Sequence, residues 1–391
     1  MKDCEPSRAR ARLLDWLSLA LRAVDGRSRV RAALADPGLS TLIRARRGVA
    51  VFAVGKAAVQ MTLGARDALG TRIARALVVT GPRYADAGLQ ACGTVSLVES
   101  AHPVPDGRSL AAGARLLAAV EALAADELPL FLISGGASSL VEVLRPGVTP
   151  EDLARLNRAL LADGVAIEAA NARRRELSLI KGGALIGRLG GREAIALFIS
   201  DVPRDDPAVI GSGLAGPAHG DRVQRRVVAS IDDAVEAVRA AAGRAGFSAG
   251  VGPERFSGDA AALGAHFAAA LATRGVDVWV QGGESTVRLP GEPGRGGRNQ
   301  HLALAAARAL RGTGCMLLAA GTDGIDGPTG DAGAVVDGGT WARIADAGLD
   351  GDDCLARADA GAALEAAGDL VHTGATGTNV GDLVIGLARV V

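Results

Sequence analysis

Continuous apolar runs recur through the first half of the chain, at Val49–Val54, Ala76–Val79, Leu128–Ile133 and Ala194–Ile199. Runs that are continuous, with no polar alternation, read as strands buried on both faces. Each closes on a turn: Gly55-Lys56, Thr80-Gly81-Pro82, Ser134-Gly135-Gly136-Ala137-Ser138-Ser139 and Ser200-Asp201-Val202-Pro203. Between them, alanine- and leucine-rich stretches near 109–126 and 151–171 have helical character. An amphipathic opening helix is expected from about Ala9 to Val24, where Leu13, Leu14, Leu17, Ala20, Leu21 and Val24 fall at helical spacing. Buried strands alternating with helices predict a doubly wound α/β sheet, whose ligands sit beyond the carboxyl ends of the strands.

Around Gly243–Pro253 glycine, alanine and proline thicken and strand signals vanish, which marks a boundary. A second α/β block follows, with strands expected at Val276–Val280, Met316–Ala319 and Asp382–Val390. The expected domains are therefore 1–243 and 244–391. Within the second lies a glycine-rich stretch, Gly282–Gln300, placed between a strand and the helix-forming run Leu302–Ala307. Glycine gathers where a backbone takes positive φ or approaches another group closely. A helix N-terminus beside such a loop suits an anion, so phosphate or carboxylate binding is the expectation here.

Composition narrows the partners. The 391 residues carry 43 basic and 43 acidic side chains, and only ten aromatics: three Trp, one Tyr and six Phe. A neutral chain with few aromatics has neither the basic field nor the stacking platforms that nucleic acids require. No run approaches the roughly 18 apolar residues of a membrane span. The four cysteines have no paired spacing, and the N-terminus has no leader-like pattern, so a cytoplasmic setting is expected. Only three of the basic residues are lysines: Lys2, Lys56 and Lys181. Where arginine serves every ordinary positive charge, a lysine kept at a glycine turn suggests contact between a compact ammonium and a phosphate oxygen. Asparagine is nearly as scarce, at Asn157, Asn171, Asn299 and Asn379.

Several turns carry candidate chemistry. Ser134, Gly135, Gly136 and Ser138 offer amides and hydroxyls at a strand end. The segment is not a Walker loop, nor does Gly-x-Gly-x-x-Gly follow the first strand. Asn171 opens an arginine run that leads to Lys181-Gly182-Gly183. Asp201 with Asp205 and Asp206, and Asp323 with Asp326, place carboxylates just past strands, where they can hold hydrated Mg²⁺ against phosphates or take a hydroxyl proton. Thr378 and Asn379 sit in a last glycine and hydroxyl loop. The five histidines show no ligand spacing, although His102, in Ser100-Ala101-His102-Pro103, stands near a turn of interest.

From Val54-Gly55-Lys56-Ala57-Ala58 to Thr376-Gly377-Thr378-Asn379, these phrases in this order resemble the glycerate 2-kinases with a MOFRL-type C-terminal domain, a family formerly often labelled hydroxypyruvate reductase. The resemblance implies a Rossmann-like first domain without dinucleotide use, a smaller mixed α/β second domain, and an active site in the cleft between them. It implies ATP- and Mg²⁺-dependent phosphorylation of the 2-hydroxyl of D-glycerate by a monomer or homodimer, with Lys56 and Arg298 as catalytic cations. On that reading Asp201 joins them as a candidate base. Ser134, Gly135, Gly136, Ser138, Asn171, Lys181, Glu284, Asn299, Asp323, Thr378 and Asn379 are candidate contacts to substrate or ATP. Asp201, Glu284 and Asp323 are candidate Mg²⁺ ligands. Three places depart from the family pattern: Ala375 stands for a proline, Arg204 for a glycine, and Leu214-Ala215 for Pro-Thr. Alternatives are an NAD(P)H-dependent hydroxypyruvate reductase, a kinase of another short hydroxy acid, and a non-catalytic sugar-acid-binding protein.

Overall fold

The computed structural model describes residues 4–90, 93–162, 167–273 and 275–388. It divides into two compact units. One comprises Asp25–Ser230 with the short segment Gly377–Val380; the other comprises the N-terminal stretch to Val24, Ile231–Thr376 and the chain from Gly381 onward. The expected cut at 243/244 falls at the end of the helix Ile231–Arg244, which lies within the second of these units.

The first unit holds a six-stranded parallel sheet of β1 (Gly48–Val54), β2 (Ile73–Thr80), β3 (Val95–Glu99), β4 (Glu127–Ile133), β5 (Glu193–Ile199) and β6 (Arg222–Ala229). Their order is β3-β2-β1-β4-β5-β6. This is the doubly wound arrangement, in which the chain winds outward in both directions from the β1/β4 pair. The continuous apolar runs have the expected reason: every residue of β1 is buried. On one face Ala50, Phe52 and Val54 join Phe131, Ile133, Ala196 and Phe198 in a core with Ala112, Leu116 and Val120 of the helix Gly107–Glu121. Phe52 and Phe131 are register partners on β1 and β4, with ring centroids 5.3 Å apart.

The second unit holds a seven-stranded mixed sheet: β7 (Ala249–Val251), β8 (Phe256–Asp259), β9 (Val278–Thr286), β10 (Met316–Gly321), β11 (Gly333–Asp337), β12 (Leu370–Val371) and β13 (Asp382–Leu387). The order is β12-β11-β10-β13-β9-β7, with β8 also paired to β9. A core of Phe256, Phe267, Leu271, Leu302, Leu304, Leu317 and Val336 joins this sheet to the helices Ala260–Thr273 and Arg298–Ala309. The opening helix, Cys4–Ala23, belongs here: Arg10 Nη1 donates to the Val335 carbonyl at 3.0 Å and to Asp369 Oδ1 at 3.2 Å.

Three expectations need correction. The glycine- and proline-rich segment near 243–253 is not without strands, because β7 lies inside it and pairs in parallel with β9. The expected helical stretch 151–171 is two helices, Pro150–Ala162 and Ile167–Leu177, and residues 163–166 lie outside the described residues. The glycine-rich stretch after Val280 is not a loop from its start, since β9 runs on to Thr286 and puts Glu284 on a strand. The last strand ends at Leu387; residues 389–391 lie outside the described residues. No described helix is long and apolar enough to cross a membrane.

Candidate active site

The reversal of strand order between β1 and β4 puts two turns side by side at the carboxyl end of the parallel sheet. Gly55, directly after β1, has φ +135°, and a Cβ there would lie 2.2 Å from Ser134 Oγ. With no side chain between them the turns bond backbone to backbone. Lys56 N–H donates to the Gly135 carbonyl at 2.9 Å, Ser134 N–H to the Val54 carbonyl at 3.1 Å, and Ala57 N–H to Ser134 Oγ at 3.0 Å. Gly136, at φ +83°, lies under the His102 ring and the Lys56 side chain, at 3.0 and 3.4 Å from the place of an added Cβ. Over Gly135 the approach is closer: a Cβ there would meet Asp201 Oδ2 at 2.0 Å and Asn379 Nδ2 at 2.2 Å. Asn379 Nδ2 in turn donates to Asp201 Oδ2 at 2.9 Å. Lys56, Ser134, Gly135, Gly136, Asp201 and Asn379 are thus gathered at one end of one sheet, with His102 added. Thr378 is buried in the same short segment as Asn379.

Two other candidates of this unit lie in its interior. Lys181 Nζ donates to Glu142 Oε2 at 2.5 Å, and both side chains are almost wholly buried. Burial depresses the Lys181 pKa, and Glu142 opposes the shift. Ser178 Oγ donates to the other Glu142 oxygen at 2.6 Å, so the pair is closed on itself. Asn171 is also buried. Its Nδ2 donates to the Val209 carbonyl at 3.1 Å and its Oδ1 accepts from Ser212 Oγ at 2.8 Å. Both side chains are engaged with buried partners in the interior of this unit. Ser138, by contrast, is half-buried and reaches Ser212, Oγ to Oγ at 2.6 Å.

In the other unit Arg298 is the first residue of the helix Arg298–Ala309. Nε and Nη2 donate to the two oxygens of Asp382 at 2.6 and 3.0 Å, and Nη1 donates to Glu284. The antiparallel register of β13 on β9 sets Asp382 opposite Gly283, next to Glu284, which explains why two carboxylates converge on one guanidinium. Burial works against the Arg298 charge, but Asp382 and Glu284 outweigh it and hold its pKa above the usual value.

The N-terminus of that helix is already occupied. Asp326 accepts the amide N–H of Asn299 at 3.0 Å and of Gln300 at 2.7 Å, and its carboxyl is pushed up to about 7 by burial against the pull of those amides. The anion expected at this helix is therefore the protein's own carboxylate. Its neighbour Gly297 leaves it room, since a Cβ there would fall 2.3 Å from Asp326 Cγ. Gly282 and Gly283 likewise serve packing: added Cβ atoms would meet Ile231 and the Phe256 carbonyl, each at 2.1 Å.

Asp323 is buried, with Oδ1 accepting the Ile325 N–H at 3.1 Å. Asn299 Nδ2 donates to Asp326, and its Oδ1 is buried with no hydrogen-bond partner among the described residues. Gly321 lies beside both side chains, 3.2 Å from Asp323 Oδ1 and 3.6 Å from Asn299 Nδ2, measured from an added Cβ. Asp382, Glu142 and Ser212 were not singled out from sequence, and Asp326, noted there beside Asp323, proves to be the cap of the Arg298 helix. Asp382 and Ser212 stand beside glycines, a signal that could have found them, whereas no local signal marks Glu142 as the partner of Lys181. Among the described residues, no group of three or more His, Cys, Asp or Glu is placed to hold a metal ion.

One doubly wound parallel unit with a lysine, an aspartate and glycine turns at its switch point, and one mixed-sheet unit with a carboxylate-bound arginine, define a two-unit α/β enzyme class. Residues 12–241 match the family described as a domain of unknown function, DUF4147, and residues 277–382 match the MOFRL family. The D-glycerate 2-kinase of Thermotoga maritima is 34% identical over 380 residues, covering 87% of this chain and 90% of that protein. The glycerate 2-kinase of Pyrococcus horikoshii is 31% identical, covering 87% of each. A solved glycerate kinase from Thermotoga maritima superposes with a TM-score of 0.84 at 32% identity, covering 98% of this chain and all of that one. The chain belongs to the glycerate 2-kinase family.

Proposed function

We propose that this protein transfers the γ-phosphoryl group of ATP to the 2-hydroxyl of D-glycerate, giving 2-phosphoglycerate and ADP. The observation that carries the reading is the convergence of Lys56, Ser134–Gly136, Asp201 and Asn379 at the β1/β4 switch point of a family member. Phosphoryl transfer asks for positioning and charge neutralisation more than for covalent chemistry. The 2-hydroxyl oxygen bonds to the γ-phosphorus, the bond to the β–γ bridging oxygen breaks, and the hydroxyl proton must leave. Asp201, held by Asn379 over Gly135, is the carboxylate suited to orient that hydroxyl and take its proton. Lys56 supplies the point charge for the transferring phosphoryl oxygens. Arg298 is the second cation, its charge secured by Asp382 and Glu284.

The candidate Mg²⁺ donors are oxygens, as that ion requires, but they form no cage of three acids. Such a set fits an ion that arrives with nucleotide phosphates and keeps most of its waters. Asp201 in one unit and Asp323 in the other are each candidate donors to it, while Glu284 is committed to Arg298. Bound Mg²⁺ would neutralise charge on the phosphates. The chain following β1 reads Gly55-Lys56-Ala57-Ala58, which lacks the glycine fingerprint a nicotinamide enzyme places there, and this favours the kinase over the reductase. A cytoplasmic setting suits an ATP-consuming enzyme.

The test is a coupled ADP-release assay with D-glycerate, with the product resolved by phosphorus NMR. Release of ADP with formation of 2-phosphoglycerate is expected. Oxidation of NADH by hydroxypyruvate with no ADP release, or formation of 3-phosphoglycerate, would overturn the reading.

A further inference from the structure

The segment that follows β5 contains three consecutive residues in the left-handed region: Gly211 at φ +56°, Ser212 at +58° and Gly213 at +73°. Two are glycines and take this conformation freely; Ser212 does so at a cost, and such strain persists only where surrounding bonds enforce it. They are on hand. The Ser212 carbonyl accepts the Gly182 N–H at 2.9 Å, the Gly213 carbonyl accepts the Gly183 N–H at 2.8 Å, and the Ser212 side chain is buried.

The hydroxyl of Ser212 lies in a chain whose direction can be deduced. Asn171 Nδ2 donates to the Val209 carbonyl, which has no proton to give, so the amide is oriented with Oδ1 toward Ser212. That oxygen can only accept, and Ser212 therefore donates to it at 2.8 Å. A serine has one hydroxyl proton. The 2.6 Å contact between Ser212 and Ser138 must then be donated by Ser138. Ser138 in turn has spent its only proton, and what it keeps is lone pairs.

We infer that Ser212, oriented by Asn171, is a positioning residue that turns Ser138 into a pure hydrogen-bond acceptor, so that the ligand group it meets is a donor, a hydroxyl of the substrate, and not a phosphate oxygen. Ser138 follows by three residues the Gly135 over which Asp201 sits, so an acceptor here and a proton-taking carboxylate there serve the same kind of group. Another hydroxyl of the turn is also turned away from an anion, since Ser139 Oγ donates to the Gly136 carbonyl at 3.1 Å. This inference rests on the glycerate kinase reading for the identity of the substrate, and on hydrogen-bond chemistry alone for the direction of the chain.

The experiment compares Ser138→Ala, Ser138→Thr, Ser212→Gly and the Ser138→Ala/Ser212→Gly double variant, with KM measured separately for D-glycerate and ATP. Glycine at 212 removes the hydroxyl and also the conformational strain, so a fold defect is not expected to obscure the result. Ser138→Ala and Ser212→Gly should each raise the D-glycerate KM about tenfold, the worth of one hydrogen bond. The ATP KM should hold, Ser138→Thr should stay near wild type, and the double variant should be no worse than the worse single one. A wild-type D-glycerate KM in either single variant, a rise in ATP KM instead, or multiplicative losses in the double variant would overturn the proposal. Melting temperatures of the same four proteins test the chain without any substrate, because coupled bonds give non-additive shifts and independent ones give additive shifts. A wild-type enzyme that leaves D-glycerate untouched would instead bring down the functional reading, and the melting cycle would still judge the chain.

Discussion

Of the chain's three lysines, the two at glycine turns occupy opposite environments. Lys56 follows β1 at the switch point, its backbone tied to Gly135 and its side chain lying against the Gly136 turn. Lys181 is sealed with Glu142 in the interior of the same unit. The scarcity of lysine marks a site where arginine fails, but it does not tell a phosphate contact from a tight buried pair, since both want a compact ammonium. Removing each should separate them. Lys56→Ala should lower kcat about 10²- to 10³-fold in the ADP-release assay, the ~3–4 kcal/mol cost of losing one transition-state contact, while the melting temperature stays close to that of wild type. Near-normal turnover would remove Lys56 from the mechanism. Lys181 is indispensable for folding, because without it Glu142 would be left as a buried unpaired charge.

At the level of elements, the sequence was most legible where burial was two-sided. β1, β4 and β5 announced themselves as unbroken apolar runs, and all three lie in the middle of the parallel sheet. β6 stayed hidden because it is an edge strand, and its arginines Arg222, Arg225 and Arg226 pair with Glu193, Asp221 and Asp36. The glycines of 282–300 misled for a related reason. Glycine signals close approach, and the sequence does not say whether the approaching group is a phosphate or another strand. Gly283 decides the matter by experiment. Its hydrogen faces the Phe256 backbone of β8, which cannot move aside as a side chain would. Gly283→Ala should therefore destabilise this unit by about 1–3 kcal/mol, as over-packing does, read as a lower urea midpoint. If the glycine served a ligand instead, the variant would keep its stability and lose substrate affinity.

Across the whole molecule the two units have separate cores, and a convenient asymmetry lets one be observed alone. All three tryptophans, Trp16, Trp279 and Trp341, belong to the unit that contains Arg298 and Asp326. Tryptophan fluorescence thus reports the unfolding of that unit, and Asp326 gives it a distinctive pH dependence. The carboxyl titrates near 3.9 in an unfolded chain and is raised to about 7 in the fold, chiefly by burial. Between those values the folded unit holds a proton that the unfolded chain has released. Rising pH therefore favours unfolding, by roughly 1.4 kcal/mol per pH unit from this group, and the effect ends above pH 7, where both states are ionised. From pH 5 to pH 7 the contribution is a loss of about 2 kcal/mol, because the slope flattens as the folded carboxyl begins to ionise. Urea unfolding followed by tryptophan fluorescence should show that decline in the wild type and a flatter profile in Asp326→Asn, which cannot titrate there. Equal slopes in the two proteins would mean that the Asn299 and Gln300 amides hold Asp326 ionised throughout, as a helix N-terminus does for an ordinary capping carboxylate.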